Sequence, residues 1–239
     1  DVNQAESIHI HHRGYNILID TGKEDEYDAL INYFKSQNIK KLDYLIVTHF
    51  HDDHYGELED LLNNLDVKQV LLNRKFEDFA LVSQIIVKEG DKIVLEGLEM
   101  INLNADNGSD ENNNSLVFLL NLQGSTILFT GDIEKEVEEK LIAKYQFELD
   151  VLNLAHHGSK TSTTTAFLEN YKPKYAVVSV GRNNYQHPHP DVLNSLKSRG
   201  IKLFRTDNDG TISLHYLPFY KRPIFETYHL GRRENYHFK

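Results

Sequence analysis

Three histidines and two aspartates fall within His49-Phe50-His51-Asp52-Asp53-His54, directly after the apolar run Leu45-Ile46-Val47. His49 and His51, two apart in an extended loop, can turn their imidazoles to one side and grip one metal ion. Asp53 and His54 follow and can reach a second ion. Imidazole with carboxylate suits zinc, and the same mixture accepts manganese or iron. Paired ions about 3.5–4 Å apart activate water against a phosphoester or a carbonyl. A single histidine would read as ordinary surface; His-x-His-x-Asp-His behind a buried strand reads as a metal loop. Its place is the carboxyl end of a strand, where open α/β sheets carry their sites.

Partners recur at other strand ends. Thr130-Gly131-Asp132 closes the apolar run 126–129, and Asp132 is placed to bridge two ions. Val151–Leu154 runs into His156-His157, one of which should complete a metal site, with a slight preference for His156. Ser159, Lys160 and Thr161 follow, suited to an anionic oxygen ahead of a helix at 164–170, whose amino end favours negative charge; capping by a hydroxyl is the plainer use. His187 and His189 lie in a proline-bounded loop and could bind substrate or donate a proton to a leaving group, or simply pack the loop. Asp20 closes another strand and either orders its turn or orients a ligand histidine. His9, His11 and His12 fall on the open face of a hairpin strand.

The positioning elements follow from periodicity. Strands are expected at 7–12 and 15–19 around Arg13-Gly14, at 45–47, 69–72, 93–95, 100–103, 115–121, 126–129, 151–154, 174–180, 202–205 and 211–216. Helices are expected at 24–36, 57–64, 76–85, 134–143, 164–170 and 191–198. Residues 104–114 read as a polar loop at the site's edge. Strands and helices recur coarsely on both sides of that loop, so two sheets should lie face to face with helices outside.

The chain has 239 residues, a net charge of −10, 40% hydrophobic residues and no cysteine. The missing cysteine excludes disulfides, thiolate zinc sites and a cysteine nucleophile. No apolar run approaches the ~18 residues of a membrane span, so direct membrane insertion is not expected. The acidic balance argues against a generic polyanion binder, although cations at the site would offset part of it. Asp1-Val2 opens almost inside ordered sequence, as a fragment of a longer protein or a processed chain is expected to. One hydrolase domain is expected over 1–216, followed by a basic, aromatic tail over 217–239.

Thr48-His49-Phe50-His51-Asp52-Asp53-His54 with Thr130-Gly131-Asp132 resembles the metallo-β-lactamase fold superfamily. Ala155–Thr163, Gly181–Pro190 and Arg205-Thr206-Asp207 are similar to the hydrolase domain of the ComEC-like branch of bacterial competence proteins. The resemblance implies a four-layer αββα sandwich binding two divalent ions (manganese or zinc). One ion would use His49, His51 and Asp132, with Asn114 or water; the other Asp53, His54, Asp132 and His156 or His157. Catalytic work would fall to Asp53, Asp132, Lys160 and His189, and substrate binding to Ser159, Lys160, Thr161, His187 and His189. It implies a nuclease acting on the non-imported DNA strand, with single-stranded DNA and a transmembrane channel domain as partners, at the extracytoplasmic face of the plasma membrane. A phosphocholine-esterase-like enzyme and a non-catalytic DNA-binding or channel-bracing domain are the alternatives. Three departures stand out, one of them that His51 is present where ComEC-like relatives often replace this ligand. Asp1-Val2-Asn3-Gln4-Ala5-Glu6-Ser7 replaces the family's glycine-rich opening, and no histidine lies between His54 and Asp132.

Overall fold

The structure, a computed structural model, describes residues 1–76, 83–105, 110–217, 223–229 and 232–236. Strands β1 (Ile8–His12) and β2 (Tyr15–Ile19) form the expected antiparallel hairpin. Arg13 and Gly14 both adopt positive φ, 48° and 84°, as a two-residue turn of this hand requires. Helix α1 (Tyr27–Ser36) then leads through the short β3 (Lys41–Leu42) to β4 (Tyr44–Val47). After the metal loop come α2 (Asp52–Tyr55), α3 (Leu58–Asn64), the short β5 (Asp66–Val67) paired with β3, β6 (Val70–Leu72) and β7 (Gln84–Ile86). The first sheet has the order β1-β2-β4-β6-β7, and every pairing after the hairpin is parallel.

The second half begins with an antiparallel meander, β8 (Lys92–Leu95), β9 (Leu98–Asn102), β10 (Phe118–Leu122) and β11 (Ser125–Phe129). It continues through α4 (Lys135–Lys144), β12 (Val151–Asn153), α5 (Thr165–Tyr171), β13 (Tyr175–Val178), α6 (Pro190–Ser198) and β14 (Lys202–Arg205), all three added strands being parallel. A last turn of helix, α7 (Thr206–Asp209), precedes β15 (Thr211–His215), β16 (Ile224–His229) and β17 (Arg232–Tyr236), a separate antiparallel sheet.

The alternation of side chains along each strand builds the layers. Ile17, Ile19 and Ile46 of the first sheet meet Met100, Phe118, Leu120, Ile127 and Phe129 of the second in one buried cluster. Leu18, Leu45 and Val47 point the other way, onto Leu30 and Phe34 of α1 and Leu58 and Leu61 of α3. Leu128, Leu152, Ala176 and Val178 likewise face α4, α5 and α6. The result is the αββα sandwich, with the parallel strands' carboxyl ends gathered at one edge.

Several expected bounds move. Residues 77–82 of the helix expected at 76–85 lie outside the described residues, and Gln84–Ile86 is instead a strand, because β-branched Ile85 and Ile86 add to β6 in parallel register. The strand expected from Ser115 starts at Phe118, since Asn112–Asn114 form a 3₁₀ turn. Asp52–Tyr55, read as loop, closes into a short helix. Beyond residue 216, Phe225 is buried and stacks on Phe204 at 4.1 Å between ring centroids.

Candidate metal centre

Where β2 and β4 end side by side, Asp20 anchors the metal loop from beneath. Its carboxylate accepts from Thr48 N at 2.7 Å, from Thr48 Oγ1 at 2.8 Å and from His54 Nδ1 at 2.7 Å. That bond fixes the His54 ring and aims Nε2 at Asp132 Oδ1, 3.2 Å away. On the far side of the same carboxylate, His49 Nε2 lies 3.9 Å from Asp132 Oδ2 and 3.1 Å from His51 Nδ1. Asp53 Oδ2 stands 3.3 Å from His157 Nε2, whose Nδ1 is held 2.8 Å from the Ser179 carbonyl. Two ligand groups result, His49–His54–Asp132 and Asp53–His54–His157, each with its ligand atoms within 4.8 Å of one another.

The backbone is bent to make this possible. Gly131 takes φ +52°, and a Cβ there would lie 2.9 Å from Ser115 Cβ and Oγ and 3.2 Å from Thr48 Cβ. Ser115 Oγ uses that proximity to accept from Asp132 N at 3.0 Å. His156 and His157 are both left-handed, each at φ 52°, and Gly158 follows at 78°. Non-glycine residues in this region are strained, and such strain collects at functional sites.

Electrostatics and hydrogen bonding test whether cations fit. Burial lowers the His54 imidazole, but Asp132 and Asp20 outweigh it and hold it well above its ordinary value. Burial raises Asp132, yet His54 holds it well below the usual carboxylate range. His49 is pushed well down by burial and by His54. Asp53 is raised by burial but carried below its ordinary range by His157. The Nε2 atoms of His54 and His157 are buried without a hydrogen-bond partner, although both face carboxylate oxygens. Orphaned buried nitrogens are costly. A divalent ion satisfies them and uses the carboxylates at the same time, so the donor set fits.

Not every expected residue enters these groups. The His51 imidazole is exposed, its Nδ1 3.1 Å from His49 Nε2, and it enters neither group among the described residues. The two adjacent histidines are set apart: His157 is buried beside Asp53, whereas the expected ligand His156 sits at the rim, Nε2 3.8 Å from Asp132 Oδ2 and Nδ1 3.6 Å from Glu134 Oε1. Asn114 is buried, and its carbonyl accepts from Asn73 Nδ2.

Where an anion site is expected, at the α5 amino end, the backbone donors already have a protein partner. Glu138 already accepts from Thr163 N and from Thr164 N (2.9 Å), and Thr164 caps the helix. Ser159 Oγ pairs with Thr161 Oγ1, Thr161 Oγ1 donates to Glu134, and Lys160 projects into solvent. His189 caps α6, its Nδ1 accepting from Asp191 N at 3.2 Å, so only Nε2 remains for a substrate. His187 stands 5.6 Å from His156 between ring centroids, and burial with the neighbouring histidines lowers it to about 4.

Two residues escaped sequence reasoning. Glu6 is buried under the site, accepts from Asn153 Nδ2 at 3.0 Å, and is raised by burial to about 7. Glu111 accepts from Phe50 N and from Arg74 Nη1, both at 2.7 Å. Neither carboxylate stands in a ligand-spaced motif, so type and spacing could not single them out.

A sandwich with a histidine–aspartate centre at the strand ends defines a metallo-hydrolase fold, and the chain belongs to the metallo-β-lactamase superfamily, whose family model matches residues 1–182. Among curated relatives, ComE operon protein 3 of Bacillus subtilis is 34% identical across 90% of this chain, which spans 32% of that protein. Competence protein ComA of Neisseria gonorrhoeae is 30% identical over 89% of the chain and 31% of its own length, and Recombination protein 2 of Haemophilus influenzae 28% over 90% and 28%. The chain thus spans about a third of these relatives. Among solved structures, the metallo-β-lactamase fold protein YhfI from Bacillus subtilis superposes with a TM-score of 0.60 at 11% identity, covering 85% of this chain and 89% of that one. Igni18, a metallo hydrolase from Ignicoccus hospitalis, gives 0.56 at 16% over 99% and 97%. The fold and its histidine–aspartate clusters imply divalent metal ions. No helix among the described residues is long and apolar enough to cross a membrane.

Proposed function

We propose that this chain is a metal-dependent phosphodiesterase that cleaves a DNA strand during bacterial DNA uptake. The observation that carries the reading is Asp132 between His49 and His54, with Asp53 and His157 closing a second group on the other side of His54. His49 and Asp132 would hold one divalent ion, with His51 at the mouth; Asp53, His54 and His157 would hold the other. Bound there, manganese or zinc supplies Lewis acidity and a lowered pKa for water. The chain's own part is to exclude bulk water around the buried His49, His54 and Asp132, to fix the ring of His54 through Asp20, and to orient substrate at the rim. His156 and His187 stand at that rim, where a phosphate and a leaving group would lie. The competence-named relatives support DNA as substrate and DNA uptake as the setting. A channel domain as neighbour and an extracytoplasmic placement belong to the same proposal.

The test is hydrolysis by the purified chain, loaded with manganese or zinc, of single-stranded DNA, double-stranded DNA, bis(p-nitrophenyl) phosphate and a phosphocholine ester. The expected result is DNA cleavage abolished by chelator and restored by metal. Cleavage that persists in chelator, or turnover confined to the phosphocholine ester, overturns the reading.

A further inference from the structure

Parallel register pairs Val47 of β4 with Leu72 of β6. Two residues beyond that pair stand His49 on one chain and Arg74 on the other, so the segment leaving β6 runs beside the metal loop. Arg74 is unusually constrained for a cation at such a rim. Its guanidinium lies over the ring of Phe50, the residue between His49 and His51 in the chain, 4.7 Å from the centroid. The Phe50 ring is backed by Phe76, stacked at 5.0 Å and 12°. One edge of the fork is fixed by Glu111 Oε2 at 2.7 Å, while the other oxygen of Glu111 takes the Phe50 N–H. Even so, the side chain is 42% exposed.

This arrangement differs from a surface ion pair in what it leaves available. A guanidinium carries five N–H donors in a rigid plane, and the contact with Glu111 uses Nη1. Its rotamers are already restricted by the ring and the carboxylate, so little freedom remains to be lost on binding an anion. Planar bidentate recognition of phosphate is what such a fork does best. In the other sheet, the loops leaving β12 and β13 carry Lys160 and Arg182, both exposed.

We infer that Arg74 is a substrate-binding residue that takes a phosphate of a nucleic-acid strand on the β6 side of the metal centre. A strand with its scissile phosphate at the centre continues past it along this rim; a small phosphodiester stops there. The inference rests on the proposed reading of the site as a phosphodiesterase, and it makes the substrate polymeric.

The experiment uses the metal-loaded chain and two probes, a short labelled single-stranded oligonucleotide and bis(p-nitrophenyl) phosphate. Binding of the oligonucleotide is followed by fluorescence anisotropy at several salt concentrations, and turnover of both probes is measured. Arg74→Ala is expected to weaken oligonucleotide binding about five- to tenfold and to reduce the salt slope by about one. Turnover of the small ester should stay within about twofold, and Arg74→Lys should recover part of the binding through charge alone. Unchanged oligonucleotide affinity in Arg74→Ala overturns the inference. So does an equal loss on both probes, which would make Arg74 a brace for the metal loop. Arg74-dependent binding without strand cleavage would instead sink the nuclease reading and leave this one standing.

Discussion

The Asp20 carboxylate holds His54 Nδ1 at 2.7 Å while its other oxygen holds Thr48 N at the same distance. One buried group therefore fixes both the start of the metal loop and the ring that belongs to both ligand groups. Partners of this kind set the tautomer and raise ligand basicity, and their loss costs about 10- to 100-fold in metal affinity. Asp20→Asn, which keeps the shape and removes the charge, should weaken manganese or zinc binding by that factor. Titration calorimetry on the metal-free protein measures it; an unchanged affinity would show that His54 needs no such partner.

His156 and His157 make a sharper comparison, because they are adjacent yet placed differently. His157 shares the group with Asp53 and His54, while His156 stands at the rim near Glu134. Metal content after dialysis should drop by one ion per chain in His157→Ala and stay at the wild-type value in His156→Ala. The reverse pattern would move the second site to His156.

Much of this centre can be read from residue types, because ligand chemistry demands particular side chains at strand ends and the strands announce themselves by apolar runs. His49, Asp53, His54 and Asp132 are legible that way. The choice between His156 and His157 is not, since it depends on two successive left-handed residues, a backbone feature that no side-chain pattern encodes. The hydrogen bonding at the α5 amino end is illegible for a related reason. A helix start attracts anions in general, but here Glu138 from α4 fills it, and only the packing of α4 on α5 brings that carboxylate there. The two-sheet core is legible because Ile17, Leu18 and Ile19 alternate between inner and outer faces.

Glu6 gives the metal-free protein a pH dependence of calculable sign. Burial raises its carboxyl from an ordinary 4.5 to about 7, against the pull of His157 and His54. A carboxyl whose pKa is higher in the folded state binds its proton more tightly there. Its stabilising contribution is therefore complete below 4.5 and is lost as pH rises through about 7. The full swing is at most about 3 kcal/mol. Thermal melts at about pH 5 and about pH 8 should show wild type losing more stability than Glu6→Gln, which cannot ionise. Parallel behaviour of the two proteins would assign the dependence to other groups.

Gly131 is where backbone and ligand geometry are least separable. At φ +52° an alanine is strained, and its Cβ would stand 2.9 Å from Ser115 Cβ and Oγ, the oxygen that receives the Asp132 N–H. The left-handed conformation alone costs an L-residue about 1–2 kcal/mol. The displaced serine adds a weakened hydrogen bond of about 1 kcal/mol. Gly131→Ala should therefore lose about 2–3 kcal/mol, a fall of roughly 5–10 °C in melting temperature for a domain of this size. Because the displaced group holds Asp132 between His49 and His54, metal affinity should fall together with stability. A variant that melts lower but binds metal as wild type does would separate the two effects, and would show that Asp132 keeps its place without Ser115.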